Sequence, residues 1–264
     1  MKITIAINGA CGRMGQRLVA LAREDSQLTL VAAVDSFLHP NIGKDAGDLA
    51  GIGKIGVPVT PDLPLSVTPD VLIDFSTPEG SMLALKTCED RKIPIVIATT
   101  GHTAAEREKI EAAAHQTAVL FSPSMSLVVN LLFKLVRDTG LALKDKDFDV
   151  EIIERHHRFK KDSPSGTAMH FAKIVQDAMH QPTLLHGREG IIGERPNNEI
   201  GMHAVRAGDN VGEHTIIFSA LGETMELVHK GYSRDSYARG ALSAATFLAN
   251  KPAGRYGMAD VLGL

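Results

Sequence analysis

Residues 155–168 read RHHRFKKDSPSGTA. Arg155, His156, His157, Arg158, Lys160 and Lys161 are cationic or can become so, in a chain whose formal net charge is -3. Directly after them, Ser165, Gly166 and Thr167 open a helical pattern in which Met169, Ala172, Val175 and Met179 share a face. The start of a helix offers free amides, hydroxyl donors and the positive end of the backbone dipole. Cations beside it give the same anion a charged partner, so the stretch reads as a site for a small acid with more than one negative group. The plain alternative is a solvated surface turn. His156 and His157 fall where an extended run ends, and neighbours on such a run point to opposite faces, so they do not readily share one ligand. No H-E-x-x-H or Cys/His ligand spacing occurs, and no metal is expected. A histidine close to a lysine can supply a proton near neutral pH.

A second set of residues lies at the start of the chain. NGACGRMG places Gly9, Gly12 and Gly15 at G-x-x-G-x-x-G spacing between the strand pattern KITIAIN and a helical one. Small residues there permit a sharp turn and close approach of backbone to a pyrophosphate, whose charge the helix N-terminus favours. Asp35 ends the next strand, 20 residues beyond Gly15, where an acid can bond both ribose hydroxyls. The spacing predicts dinucleotide binding; a purely structural turn is the alternative. A carboxylate at Asp35 repels a 2′-phosphate, and Ser36, Phe37 and Leu38 supply no cation to receive one. NADH is therefore expected to be preferred over NADPH, with His39 and Lys44 the nearby cations that weaken the expectation. Hydride delivered to an unsaturated carbon leaves charge to be protonated, so the two sets together read as a nicotinamide reductase of a small polycarboxylate.

The elements that must position these residues follow from periodicity. Strand patterns at 2–8, 28–35, 70–76, 94–100 and 118–124 alternate with helical ones, including about 79–91 and 103–115. Such alternation implies parallel pairing through right-handed crossovers, hence an α/β, Rossmann-type doubly wound sheet. Residues 36–66, rich in glycine, read as a long mobile loop. After residue 125 comes a strongly apolar helix, then strands at 147–155, 199–207, 214–222 and 224–231, interrupted by one helix near 167–180. That predicts a smaller α+β domain with an open mixed sheet. The expected division is 1–126 with 235–264 as the dinucleotide domain and 127–234 as the substrate domain, the helical tail folding back on the first.

Composition bounds the rest. A chain of 264 residues with 44% hydrophobic and 22% charged residues is ordinary for a globular protein. Near-neutral charge argues against nucleic acid as a partner. Two cysteines, Cys11 and Cys88, make no disulfide framework and suit a reducing cytoplasm. No signal peptide or membrane span is read, and the expected location is cytoplasmic.

ERHHRFKKDSPSGTA resembles the E-x-H-H-x-x-K-x-D-x-P-S-G-T-A signature of the dihydrodipicolinate reductase family, enzymes of lysine and diaminopimelate synthesis. GACGRMG, DFSTPE, ATTGHT, SPSMSLVVN and RAGDNVGEHT carry the similarity along nearly the whole chain. The resemblance implies NAD(P)H-dependent reduction of 4-hydroxy-tetrahydrodipicolinate to tetrahydrodipicolinate. It implies acid/base work for His156, and proton donation with substrate contact for Lys160. It places His157, Ser165, Gly166 and Thr167 against the substrate. Gly9, Ala10, Cys11, Gly12, Arg13, Met14 and Asp35 match the cofactor site, as do Ala98, Thr99 and Thr100 and then Ser122, Pro123, Ser124 and Met125 around the nicotinamide ribose. It also implies a homotetramer built through the second domain's sheet, and closure of the two domains over bound ligands. Three positions vary: Ser124 stands where many members have Asn, Phe159 where some have His, and Asp35 lacks a following Arg.

Other residues receive plainer expectations. Glu154 reads equally as an orienting group or a surface charge, and RAGDNVGEH (206–214) as a hairpin loop without a catalytic role. His102, His170, His186, His203 and His229 read as structural or exposed, and Cys11 as a packing residue. Competing functions are an amino-acid or semialdehyde dehydrogenase on the same plan, and a non-catalytic NAD sensor; the sensor leaves His156, Lys160 and Ser-Gly-Thr without a purpose.

Overall fold

The protein, seen in a computed structural model, is described over residues 2–264. It divides into two compact units: one runs to Leu127 and resumes over Asp235–Leu264, the other is Val128–Arg234.

The first unit begins β1 (Ile3–Asn8), α1 (Arg13–Glu24), β2 (Leu28–Val34), α2 (Ala46–Leu49), β3 (Val59–Thr60), β4 (Val71–Asp74), α3 (Pro78–Arg91), β5 (Ile95–Ile97), α4 (Ala104–Ala113) and β6 (Ala118–Phe121). Ile5, Ala6 and Ile7 of β1 are all fully buried, as are Ile95, Val96 and Ile97 of β5. Strands sealed on both faces have no polar side to alternate with, which is why they read as continuous apolar runs. Helix ends follow local chemistry. Thr77 caps α3 with Pro78 in its first turn, and Thr103 and Glu106 form a reciprocal capping box on α4.

The second unit is formed mainly by α5 (Leu127–Leu143), β7 (Asp149–His156), α6 (Gly166–Met179), β8 (Thr183–His186), β9 (Glu199–Arg206), β10 (Gly212–Ala220) and β11 (Glu223–Gly231). Its sheet order is β11-β10-β7-β9-β8. β10 runs antiparallel to β7 and β11, while β7, β9 and β8 are parallel, so the sheet is mixed. Val150, Ile152, Ile216 and Phe218 point inward against Phe171 and Val175 of α6. Met169, expected on that face, is 37% exposed; Ala168 and Phe171 take the inward positions instead.

The chain then returns to the first unit with α7 (Asp235–Leu248), β12 (Gly254–Tyr256) and α8 (Met258–Leu262). The first sheet is parallel throughout, in the order β12-β6-β5-β4-β1-β2-β3. Strand order reverses at β1, which lies between β4 and β2; in such sheets ligands bind outside the carboxyl ends of the strands at this point.

The expectation of a mobile loop over 36–66 is corrected. The segment contains α2 and β3, and the Asp45 carboxylate gathers the amides of Gly47, Asp48, Ile55 and Gly56 at 2.7 to 3.3 Å. Glycines at 43, 51, 53 and 56 have φ between 75° and 85°, so they serve defined left-handed turns.

Candidate active site

In the first unit, the turn after β1 is packed backbone against backbone. Gly9 has φ +79°, and a Cβ there would lie 2.3 Å from the Phe75 carbonyl oxygen; one at Gly15 would lie 2.1 Å from the carbonyl oxygen of Gly9. The Val34 carbonyl accepts from the amides of Gly9 and Ala10, at 2.9 and 3.0 Å. Asp35 reaches back to the same turn: Oδ2 accepts from the Cys11 amide at 2.7 Å and Oδ1 from the Ser36 amide at 2.8 Å. A carboxylate has about four lone-pair sites, so each oxygen keeps one for a further donor. Gly9, Gly12 and Asp35 line one cavity of about 620 Å³, together with Asn8, Phe37 and His39. Arg13 is exposed and Met14 half-buried. Burial, reinforced by Asp35, pushes the Cys11 thiol up to about 11. It stays protonated and packs, as expected of it.

At the wall of this cavity, which Asn8 and Ser76 line, lies a network of which the sequence reading assigned only Thr99. Asp74, fully buried, accepts from Asn8 Nδ2 at 2.8 Å, Ser76 Oγ at 2.5 Å and Thr99 Oγ1 at 2.6 Å. It ties together the ends of β1, β4 and β5. Thr99 is thereby turned inward, while Ala98 is half-buried and Thr100 exposed. After β6, Ser122 donates to the Ser124 carbonyl at 2.8 Å; Ser122, Ser124 and Met125 are buried and Pro123 is exposed. Residues 98–100 and 122–125 therefore follow strand ends on the same edge of the sheet as Gly9 and Asp35, although they do not line the cavity itself.

In the second unit, the inward stripe of β7 continues from Val150 and Ile152 to Glu154 and His156, which are 1% and 7% exposed. The expectation of Glu154 as a possible surface charge is thus corrected. Its Oε2 receives His156 Nδ1 at 2.5 Å and Arg206 at 2.8 Å; its Oε1 receives Arg206 at 2.6 Å and the Ser165 amide at 3.0 Å. Burial pushes this carboxyl up, but the bonds from Arg206, His156 and Ser165 outweigh it and hold it below the ordinary range. For His156 burial is the larger effect; with repulsion from Lys160 and Arg206 it overcomes the attraction of Glu154, and the ring is held below its ordinary pKa.

Segment 206–214 is not a hairpin loop. β9 and β10 lie on opposite sides of β7, which brings Arg206 and His214 to the His156 end of that strand. Arg206 holds Glu154, and the His214 ring lies 5.4 Å from that of His156, with Nε2 3.3 Å from Ser165 Oγ. Burial, with the neighbouring histidine charges, lowers His214 to about 3, so it is neutral in the folded protein. His229 stacks behind it at 5.9 Å. Both histidines carry a buried Nδ1 without a partner, as do His157 Nδ1, Arg206 Nε and Asn210 Oδ1 nearby. Sequence parity could have found Glu154, since it shares the face of Val150 and Ile152. Arg206 and His214 depend on the strand order, which no local pattern encodes.

Of the basic run, Arg155, Arg158 and Lys161 are solvated, while His156, His157 and Lys160 turn inward or lie half-buried. Lys160 Nζ pairs with Asp162 Oδ1 at 2.9 Å. Ser165 caps α6 by accepting the Ala168 amide at 3.2 Å, and its hydroxyl is therefore committed locally. Gly166, exposed, and Thr167, half-buried, form the first turn with their amides outside the helix's own ladder. Phe159 is 77% exposed.

No side chain in either set can supply a hydride. A protein built this way, with a tight glycine turn and a strand-end carboxylate at a switch point and a helix start beside buried titratable groups in a second unit, is a nicotinamide-dependent oxidoreductase. Comparison with known proteins narrows that class. The models described as dihydrodipicolinate reductase, N-terminus and C-terminus, match residues 3–125 and 128–262. A 4-hydroxy-tetrahydrodipicolinate reductase of Trichlorobacter lovleyi is 46% identical over 266 residues, covering 99% of each chain. One of Geobacter sulfurreducens is 45% identical over 264 residues, covering 98% of each. A dipicolinate-bound dihydrodipicolinate reductase from Paenisporosarcina sp. TG-14 superimposes with TM-score 0.76 at 26% identity, covering 97% of this chain and 98% of that one. The chain belongs to the dihydrodipicolinate reductase family and is an NAD(P)H-dependent oxidoreductase. No helix among the described residues is long and apolar enough to cross a membrane.

Proposed function

We propose that the chain reduces 4-hydroxy-tetrahydrodipicolinate to tetrahydrodipicolinate in cytoplasmic lysine and diaminopimelate synthesis. The observation that carries this is the meeting of His156, Lys160 and the amide-rich start of α6 at one end of β7. That arrangement suits a small ring bearing two carboxylates. Lys160 and Thr167 with the Gly166 amide hold the carboxylates, in exchange for the Asp162 carboxylate that Lys160 holds otherwise. Gly9, Gly12 and Asp35 would hold a reduced nicotinamide dinucleotide, which would supply the hydride when bound. The substrate's hydroxyl leaves as water with a hydrogen from the adjacent ring carbon, and Lys160 supplies the proton the reduced ring requires. His156 takes part through the ring nitrogen left free by Glu154. Oxidation of the reduced cofactor, followed by its absorbance with substrate made by the preceding synthase, tests the reading. Turnover only with the diacid supports it; equal turnover with a monocarboxylate semialdehyde overturns it.

Asp35 supports a preference for NADH. Of the two cations nearby, Lys44 Nζ is engaged on Asn41 Oδ1 at 2.8 Å, and His39 Nδ1 receives the Asn41 amide at 3.2 Å. The expected result in the same assay is a several-fold lower KM for NADH than for NADPH, narrowing or reversing in Asp35→Ser. A lower KM for NADPH in the unaltered protein rejects the charge argument.

A homotetramer is part of the same reading. The outward face of the second sheet carries Ile153, Ile217, Val205 and Val228, the last two more than 40% exposed. Light scattering is expected to give four times the chain mass; a monomer at micromolar concentration contradicts it.

A further inference from the structure

Glu154 and Arg206 are the most heavily bonded side chains of the site, and the reaction gives Glu154 no direct task. Its two oxygens receive four hydrogen bonds, two apiece, from His156, the Ser165 amide and both terminal nitrogens of Arg206. Arg206 is fixed in turn, donating also to the Asp162 carbonyl at 2.8 Å and to its neighbour's carbonyl, Val205, at 2.8 Å. A carboxylate with every lone pair taken cannot rotate, so the group that donates to it is held in one orientation. A buried ion pair of this kind is at best weakly stabilising compared with apolar residues of similar volume. On a strand whose inward stripe runs Val150 and Ile152 before Glu154 and His156 after it, stability alone gives little reason for the pair.

We infer that Glu154 and Arg206 are positioning residues that lock the His156 ring in a single tautomer, with Nδ1–H on Glu154 and the Nε2 lone pair turned to the substrate. This rests on the reading that His156 and Lys160 face the substrate. His156 Nε2 has no partner among the described residues and is not among the sealed polar atoms, so it reaches solvent. Every charged or titratable group facing the ring then has a sign. Glu154 on the same strand favours the imidazolium; Arg206 from β9 and Lys160 from the following loop oppose it. His214 from β10 is neutral, with His229 of β11 behind it, and Asp162 is engaged with Lys160. The neutral ring is an acceptor, so the proton delivered in the reaction is assigned to Lys160. The same carboxylate holds the Ser165 amide, so the ring and the start of α6 are set by one group.

The test is the pH dependence of kcat/KM. A neutral His156 is required, so the rate falls on the acid side as the ring is protonated. Glu154→Gln removes the group that favours the imidazolium, and the acid limb is expected to move down by about one pH unit. Arg206→Met removes an opposing charge, and the limb is expected to move up by about one unit, with Arg206→Lys returning most of that shift. Limbs that stay in place while only the rate drops overturn the clamp. His156→Ala with unchanged kcat/KM overturns instead the reading on which the clamp rests. Should the variants fail to fold, nitrogen chemical shifts of His156 in the unaltered protein decide at pH 7: Nδ1 protonated with Nε2 bare supports the clamp, and the opposite tautomer or a doubly protonated ring refutes it.

Discussion

Lys160→Met is expected to lower kcat by roughly 10²-fold or more at neutral pH, the range removed with a positioned general acid. The side chain stays unbranched, one atom shorter, and loses its proton and charge. KM for the diacid should rise in the same variant, because in the proposed function the ammonium also holds a carboxylate. His156→Ala is expected to lower kcat by a comparable factor, about 10², but with a smaller effect on KM, since a neutral ring contributes orientation more than charge. Steady-state kinetics at saturating cofactor separate the two. Near-normal turnover in both variants would remove proton transfer from this site altogether. The geometry makes the division of labour specific: Glu154 occupies Nδ1 of His156, whereas Lys160 is paired with Asp162, a carboxylate that is 59% exposed and can be displaced.

Gly15→Ala should damage the glycine turn of the first unit. The added methyl would lie 2.1 Å from the Gly9 carbonyl oxygen and 2.6 Å from the Ala10 Cα, both backbone atoms that no rotamer change can move. The turn must open, at a cost of about 1–3 kcal/mol for overpacking. The Cys11 amide that Asp35 holds lies within this turn, so that carboxylate loses its placement as well. The expected result is a KM for NADH raised by about tenfold or more, equivalent to ~1.4 kcal/mol, with a lowered Tm. Gly12→Ala should do less, since its methyl would stand 3.2 Å from the same oxygen. A Gly15→Ala protein with unchanged cofactor KM and Tm would show that the turn is not the cofactor's seat.

Much of this was legible from residue order because the physics is local. Ile3–Asn8, the glycine turn and Arg13–Glu24 form one strand–turn–helix unit whose apolar period, small residues and helix start lie within a single stretch. Ser165 as a cap is equally local, its hydroxyl accepting an amide three residues on. What failed was tertiary. β8 and β12, of four and three residues, are too short to show a period and exist through pairing with β9 and β6. Segment 36–66 was misread because its order comes from one carboxylate, Asp45, reaching amides ten and eleven residues away. Glu154 needed parity counted past the last apolar residue of β7. Arg206 and His214 needed the knowledge that their strands flank β7 from both sides, and Asn8, Asp74 and Ser76 needed the order of β1, β4 and β5.

The return of the chain to its first unit bears on how the protein is made. α7 supplies Ala241, Ala244, Ala245 and Leu248 to the core around β1 and β4, and β12 completes the sheet beside β6. A ribosome therefore releases every residue of Val128–Arg234 before the unit that opens the chain has its last helices and edge strand. Vectorial synthesis lets the inserted unit finish first, while the first sheet, with α1 already against the face that α7 will share, waits for α7 and β12 to emerge.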